Sequence, residues 1–167
     1  MPLRLRKLTI GNLMKLASTI FISALLVMNS HSVFAADNAH HFPGVFIGYT
    51  NANDETHFTY GLEYEYKFNR TWGLGAVYEK IDNAHHGDGV TVKVAELFYH
   101  PLNSLRFGLG IGKEKVGGAH PHSEDLYRLS ASYEYHVGDF GLEPTFAVDF
   151  IDGEQAYVLG VVLVRPF

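Results

Sequence analysis

A strict alternation of apolar and polar residues runs through positions 58–79 and constrains the fold more than any other feature of this 167-residue chain. Every even position from 58 to 68 is apolar or aromatic, whereas the odd positions between them are polar, charged or glycine. A period of two places these two sets on opposite faces of a β-strand. The alternation stops at Asn69-Arg70-Thr71 and resumes at Trp72, which predicts an antiparallel hairpin with a tight turn.

The first 35 residues differ from the rest of the chain and predict a cleaved secretory signal peptide. An apolar run at 16–28 follows four basic residues, Arg4, Arg6, Lys7 and Lys15. The residues after this run fit a cleavage site that ends at Ala35 or Ala36. The alternative is an uncleaved membrane anchor, but the run is shorter than the roughly 20 residues that a spanning helix needs. We therefore expect residues 1–35 to be removed and residues 36–167 to form one domain.

Charge and cysteine content argue against a nucleic-acid-binding protein and exclude a disulfide-stabilised one. The whole chain carries 13 basic residues, 18 acidic residues and no Cys. Loss of the signal peptide removes four of the basic residues and none of the acidic ones, which leaves a net charge of −9. A domain this acidic is expected to repel nucleic acid. Without Cys it has no disulfides, so hydrogen bonds and packing must stabilise it.

Eight strand-like runs follow one another along the mature domain, and none of them has the 3.6-residue period of a helix. They cover residues 44–51, 56–68, 72–82, 90–100, 105–115, 126–137, 140–152 and 156–167. The connections after the second, fourth and sixth runs are tiny, whereas most of the others are longer and more polar. This alternation predicts an up-and-down barrel with both termini at the short-turn end.

The composition of the two strand faces predicts which one meets lipid. The polar face combines glycines with full charges, which suits a cramped interior where long charged side chains pair. The apolar face carries large aromatic residues near the short turns, as in the girdles of outer-membrane barrels, namely Tyr66, Phe68, Trp72, Tyr99, Phe107, Tyr133, Tyr135 and Phe140. A soluble lipocalin-type barrel would bury this face, but so many rings would overfill an eight-stranded lumen. The sequence therefore predicts an all-β, eight-stranded antiparallel up-and-down transmembrane β-barrel.

The fourth run is less regular than the others, because its apolar residues change from even to odd positions halfway along it. One face begins with three valines, Val90, Val92 and Val94. Leu97 and Tyr99 then carry apolar side chains on the opposite face. A β-bulge near Ala95 would return Glu96 to the polar interior and keep its carboxylate out of lipid.

Charged residues on the inward parity define the predicted lumen. The set is Glu63, Glu65, Lys67, Glu79, Lys93, Glu96, Arg106, Glu114, Arg128, Glu134, Glu143 and Asp149. These residues either line a channel or proton path, or form a plug of paired charges, because eight strands enclose about the volume of their own side chains. We favour the plug, since buried charges need partners. The acids outnumber the bases, so we expect some carboxylates to be protonated or hydrated.

The hairpin GLEYEYKFNRTWGLGAVYE and the final Phe167 make the mature chain resemble the small eight-stranded bacterial outer-membrane barrels of the OmpA transmembrane-domain and OmpX type. Members of that family typically end in an aromatic residue that the barrel-assembly machinery reads. Phe167 matches this signal, whereas Arg165 stands where an apolar or aromatic residue is usual. The resemblance implies a monomer in the cell outer membrane, with outer-membrane lipid, lipopolysaccharide and the assembly machinery as its partners.

Histidines near the longer connections are candidates for a metal site. Five histidines lie on the predicted outward side, and the candidates are all of these except His57, namely His85, His86, His120 and His122. Together with the neighbouring carboxylates of Asp88, Glu124 and Asp125 they offer ligand types that suit Zn²⁺, Cu²⁺ or Ni²⁺. No known ligand spacing is present, so we favour the alternative of polar loop residues that titrate near neutral pH. We assign no metal site and no cofactor.

Catalysis is the last alternative, because some small outer-membrane barrels are lipid A deacylases or acyltransferases. The deacylases use a His-x-Ser pair on one strand face, whereas His122 and Ser123 are adjacent and would face opposite ways. The other serines of the mature chain do not adjoin a histidine in sequence, namely Ser104, Ser130 and Ser132. We therefore assign no catalytic residues. The predicted function is structural, in envelope integrity or surface interaction, with a narrow pore as the second hypothesis and a lipid A-modifying enzyme as the third.

Overall fold

The computed structural model describes residues 39–82, 89–118 and 121–167, and these form a single antiparallel sheet. Its strands are β1 (His41–Ala52), β2 (Glu55–Lys67), β3 (Trp72–Ile81), β4 (Val90–Leu102), β5 (Leu105–Val116), β6 (His122–Tyr133), β7 (Tyr135–Val137), β8 (Phe140–Ile151) and β9 (Glu154–Val164). β6 and β7 are two parts of one barrel strand, interrupted at Glu134, because both pair with β8. The barrel therefore has the predicted number of eight strands.

Pairing between the first and last strands closes the sheet. β1 and β9 run antiparallel from Gly44 opposite Val164 to Ala52 opposite Ala156. Every other barrel strand pairs with its neighbours in sequence, which confirms the up-and-down order. Closure leaves no sheet edge whose N–H and C=O groups would lack partners.

The predicted signal peptide, residues 1–35, lies outside the described residues, which begin at Ala39. Its cleavage and the domain boundary after it stay predictions. No helix formed by the described residues is long and apolar enough to cross a membrane.

Two connections at one end of the barrel are shorter than predicted. This loop end carries the connections β1–β2, β3–β4, β5–β6 and β8–β9, and the opposite end is the short-turn end. Asn53 and Asp54 alone join β1 to β2, and Asp152 and Gly153 alone join β8 to β9. All four residues have positive φ, between 46° and 83°, as tight two-residue hairpin turns require. Asn, Asp and Gly adopt this conformation at low cost, so the strands pair up to the turn itself.

Large apolar side chains point outward around the barrel, as predicted. This apolar band includes Val45, Ile47, Tyr60, Leu62, Leu74, Leu97, Leu109, Ile111, Leu129, Phe146, Leu159 and Leu163. Leu62 and Ile111 are 60% and 65% exposed. The predicted aromatic residues near the short-turn end are also exposed, and the rings of Trp72 and Tyr99 lie 5.0 Å apart. An apolar surface of this extent fits a lipid environment rather than water.

The predicted bulge near Ala95 is wrong. The ladder between β4 and β3 has no irregularity, and the register shift against β5 lies beyond Tyr99. Val92 and Glu96 therefore share the inward face, whereas Lys93, predicted to face the lumen, points outward. No bulge is needed because the valines pack inside the loop-end half of the lumen, in a cluster of Val77, Ile81, Val90, Val92, Val94, Val116, Leu126 and Ile151.

Cysteine labelling tests the parity of β4, because the chain has no Cys of its own. Lys93→Cys in detergent micelles is expected to react readily with a water-soluble maleimide. Val92→Cys is the matched control at the neighbouring position, where the native side chain is 1% exposed. We expect it to react at least about 100-fold more slowly, at a rate set by opening of the barrel. Mass spectrometry measures both rates, and faster labelling at position 92 than at 93 would restore the bulge.

Candidate functional site

Two arginines organise the polar part of the lumen. Arg106 on β5 and Arg128 on β6 occupy inward positions and are 6% and 3% exposed. Arg106 pairs with carboxylates of β2 and β8, and Arg128 pairs with Glu79 of β3 and with Asp149 of the neighbouring strand β8. The two arginines therefore connect strands that are not neighbours in the sheet.

Arg128 holds two carboxylates in bidentate pairs. Its Nε and Nη2 atoms donate to the two carboxylate oxygens of Asp149 at 2.6 and 2.7 Å. Its Nη1 and Nη2 atoms donate to those of Glu79 at 3.1 and 2.7 Å. Glu96 lies at the edge of this group, with Oε1 3.9 Å from Arg128 Nη1 and Oε2 accepting a 2.8 Å hydrogen bond from Ser130. The planar guanidinium allows this geometry, which a lysine ammonium would not reproduce.

Arg106 holds a second group of carboxylates nearer the short-turn end. Its Nη1 atom donates to Glu63 in a short ion pair and lies 3.3 Å from Glu65 Oε2. Its Nη2 atom lies 2.9 Å from Glu143 Oε2. The guanidinium carbon also lies 4.4 Å from the ring centroid of Phe98, an inward-facing aromatic residue. Ion pairs and a cation–π contact thus join β2, β4, β5 and β8 across the lumen.

A buried histidine extends this group towards the short-turn end. His100 Nε2 lies 2.6 Å from Glu65 Oε1, and the two residues are 7% and 1% exposed. The predicted inward set did not include His100. Its position in β4, four residues after the inward Glu96, was the available signal, because residues an even number apart in a strand share a face.

The short-turn mouth of the lumen is a small polar cavity. It has a volume of about 230 Å³ and its lining includes Lys67, His100, Glu134 and His136. Glu134 Oε1 has no hydrogen-bond partner in the described part of the chain, because His136 Nε2 lies 3.1 Å away in an orientation that makes none. A cavity of this size and polarity suits ordered water.

The described residues confirm most of the predicted inward set. Every member except Lys93 lies on the inward parity of its strand. Six carboxylates surround the two guanidinium groups, namely Glu63, Glu65, Glu79, Glu96, Glu143 and Asp149. Each charge taken out of water costs several kcal/mol unless it is paired, so the two arginines are required by the carboxylates around them. The protonation or hydration of some of these carboxylates stays a prediction.

Inward glycines make room for the charged side chains, as the sequence predicted. A Cβ atom at Gly108 would overlap Ser130 Oγ and Glu96 Oε2. A Cβ atom at Gly73 would overlap Glu65 Oε1. Any larger residue at these two positions would have to displace the carboxylates, so glycine allows them to keep their places in the network.

Inward-facing phenylalanines fill the lumen beside β1 and β9, and the sequence alternation did not predict them. Phe46 is 2% exposed and belongs to an apolar cluster where β1 meets β9, together with Phe42, Ala147, Val158, Val162 and Val164. Cβ atoms at Gly48 and Gly160 would lie 2.7 and 2.5 Å from its ring. These two glycines are paired in register, and an inward glycine pair is the sequence signal that leaves space for a ring.

Replacing Arg128 tests the energetic importance of the network. Arg128→Met is expected to lower the free energy of unfolding by about 3–5 kcal/mol, because Glu79 and Asp149 become buried charges without a partner. Lys113→Gln is the matched control, since Lys113 Nζ lies 2.6 Å from Asp125 Oδ1 in a pair whose side chains are 66% and 74% exposed. We expect that change to cost less than about 1 kcal/mol. Urea unfolding in detergent micelles measures both, and equal losses would contradict the assignment.

A second polar group lies at the loop end, in a cavity of about 200 Å³. His122 Nε2 lies 3.6 Å from Glu124 Oε1, and His57 Nε2 lies 3.2 Å from Glu55 Oε2. Within 39–82, 89–118 and 121–167, no three or more His, Asp or Glu side chains are arranged to hold a metal ion. The metal hypothesis also involves residues outside the described ranges, so it is untested for His85, His86 and His120.

Glu114 lies in this cavity, beyond the apolar band and at the level of the water-exposed Lys113 and Lys115. Glu124 stands directly opposite it in register. Burial and the negative charge of Glu124 raise the pKa of Glu114 to about 7. The raised pKa means that the folded protein binds this proton more tightly than the unfolded chain does.

The stability of the barrel is expected to fall with rising pH because of Glu114. Its contribution is fully present below its ordinary pKa of 4.5 and is lost as pH rises through about 7. Glu114→Gln should therefore raise the free energy of unfolding at pH 8 by about 1 kcal/mol, after allowance for partial exposure, and flatten its pH dependence. Asp152→Asn, which removes an exposed carboxylate at the same end, is the control. Urea unfolding at pH 4–8 measures this, and a pH profile unchanged by Glu114→Gln would contradict it.

The pair considered for catalysis does not converge. His122 and Ser123 take opposite faces of β6 because they are adjacent in an unbroken strand. Ser123 Oγ donates to the backbone carbonyl of Glu114 at 3.0 Å, and Ser130 donates to Glu96. These hydroxyl groups serve the barrel structure, so the geometry offers no support for the deacylase arrangement.

The fold is shared with solved structures, although no protein-family model and no curated protein matches the chain. The N-terminal β-barrel domain of Pseudomonas aeruginosa OprF has 11% sequence identity and a TM-score of 0.60, over 77% of this chain and 98% of that one. Neisserial surface protein A has 11% identity and a TM-score of 0.56, over 77% and 96%. Ail, the attachment invasion locus protein of Yersinia pestis, has 13% and 0.51, over 77% and 97%. At such identities the likeness establishes the fold alone, that of the small eight-stranded outer-membrane barrels.

Proposed function

We propose that this protein is an integral outer-membrane barrel with a plugged lumen, which acts as a non-conducting structural scaffold of the envelope. Its strands would anchor it in lipid and hold the loop end at the cell surface. The observation that carries this proposal is the buried network of Arg106 and Arg128 with six carboxylates, which joins opposite walls of the barrel.

The outward surface supports a membrane location. A continuous apolar band surrounds the barrel, and aromatic residues such as Trp72 and Tyr99 lie at its short-turn edge. Amphipathic rings are enriched at such lipid–water boundaries. Closure of the sheet satisfies the backbone within lipid, where an open edge would cost several kcal/mol for each unpaired group.

The interior supports a plug rather than a narrow pore. Arg106 and Arg128 are both almost fully buried, and Phe46 and Phe98 fill further space beside them. An ion crossing this lumen would have to displace bidentate pairs whose rupture leaves buried charges, at about 3–5 kcal/mol for each. The charges that first indicate a channel lining are therefore more consistent with a closed interior.

Conductance in planar bilayers tests the plug. The purified mature protein is expected to give no single-channel steps, because the two buried arginine groups occupy the lumen between its walls. Different migration of heated and unheated samples in detergent gels identifies the folded barrel in each preparation. Steady conductance from folded protein would contradict the proposal and favour the narrow pore.

A variant without the Arg106 group tests how much of the closure depends on that group. Glu63→Ala, Arg106→Ala and Glu143→Ala together remove one charge group without leaving a guanidinium or its two strongest partners unpaired. Glu65 keeps His100 as its partner in this variant. We expect no conductance from the triple variant either, because the Arg128 group and the valine cluster at the loop end remain in the lumen. Conductance from this variant would show that the Arg106 group alone closes the barrel.

A further inference from the structure

Four lysines lie side by side on the outer surface of the barrel at the loop-end edge of the apolar band. Lys93 on β4 stands directly opposite Lys113 on β5. In the next row towards the loop end, Thr91 pairs with Lys80 on one side and with Lys115 on the other. All four lysine side chains are exposed. We define Lys80, Lys93, Lys113 and Lys115 as the lysine patch.

The lysine patch is unusual for a chain this acidic. Residues 36–167 contain nine basic and 18 acidic residues, and the patch gathers four of the nine on three adjacent strands. Like charges directly opposite each other in a sheet are destabilising, as Lys93 and Lys113 are. Asp125 pairs with Lys113, but Lys80 and Lys115 make no hydrogen bond or ion pair with any described residue. The patch therefore carries an excess of positive charge that an external anion would balance.

An apolar groove of about 1030 Å³ adjoins the lysine patch on the side of the short-turn end. Ala76 and Ala95 face each other in register and form its floor. The larger side chains of Tyr64 and Ile111 continue the same row on either side. Lys93 and Lys113 line the groove at its loop-end edge. A cationic edge and an apolar floor thus meet on one outward surface.

The height of the patch places it among lipid headgroups if the barrel spans a membrane. From Lys93 to the turn after β4 there are about ten residues, which at about 3.3 Å each and a tilt of about 40° cover about 25 Å. That is the height of the apolar band of an outer-membrane barrel. The patch then lies at the outer headgroup layer, and the groove beside Ala76 and Ala95 lies among acyl chains.

We propose that the lysine patch and the groove form a binding site for one phosphorylated, multiply acylated lipid of the outer leaflet, of the lipid A type found in lipopolysaccharide. Its phosphates contact the lysines, and one acyl chain lies in the groove over Ala76 and Ala95. The inference rests on the proposed outer-membrane location. A soluble phosphate would satisfy the lysines but would leave the apolar groove unexplained, which is why a lipid is the occupant.

Lipid retention by the protein in nanodiscs tests the headgroup contacts. Native mass spectrometry measures bound lipid A, with phosphatidylglycerol as an anionic lipid that lacks the phosphorylated sugar. Lys93→Gln with Lys113→Gln is expected to weaken lipid A binding by about tenfold or more, since two charge-assisted contacts are lost. Arg165→Gln, an exposed cation at the short-turn end, is the matched control and should retain native affinity. Unchanged affinity in the lysine variant, or equal affinity for phosphatidylglycerol, would overturn the site.

A groove variant tests the acyl contact separately. Ala95→Phe fills the groove from the lipid side, so it should weaken binding of lipid A without altering the lumen. Inorganic phosphate is the soluble probe, and competition by phosphate at millimolar concentration would indicate an anion site without a lipid and would overturn the inference.

Insertion into the nanodisc and heat-dependent gel migration report on the barrel itself. Failure of the native protein to insert would contradict the proposed function, whereas insertion with unselective lipid binding would contradict only this inference.

Discussion

The pairing of β1 with β9 is the constraint on which the rest of the structure depends. It gives every strand two neighbours, so the backbone satisfies its own hydrogen bonds without water. A closed sheet of eight strands also has one inside and one outside, and the period of two sends alternate residues to each. Closure thereby turns a simple alternation in sequence into a separation of lipid-facing and lumen-facing side chains.

The small lumen then determines which residues are tolerated inside. Eight strands enclose little more than the volume of their side chains, and glycines such as Gly73 and Gly108 provide space for the long charged groups that face them. Arg106 and Arg128 satisfy carboxylates from several strands and connect walls that no backbone hydrogen bond joins. The apolar clusters at the loop end and along the β1–β9 seam complete the filling. The interior is therefore a packed polar and apolar core rather than a water-filled channel.

Because the interior is filled, the accessible surfaces of the barrel are its outer face and its two ends. The loop end carries the cavity with Glu114 and His122, and the outer face of β3–β5 carries the lysine patch beside an apolar groove. In the proposed outer-membrane location the cavity meets water and the lysine patch meets lipid headgroups. The proposed scaffold role and the proposed lipid contact thus depend on one arrangement, in which the lumen contributes stability and the exterior is left for contact with lipid.

The sequence by itself determined the strands, their alternating faces, the outward aromatic residues and most of the inward charges, because these follow from side-chain period within a single strand. It did not determine which carboxylates share Arg128, that Phe46 fills the lumen, or that Lys93 stands beside Lys113. Those neighbours come from different strands, and only the register fixed by the turns and by closure brings them together. The predicted bulge in β4 failed for the same reason: whether valines or charges belong at the loop end of the lumen depends on what the opposite walls contribute there.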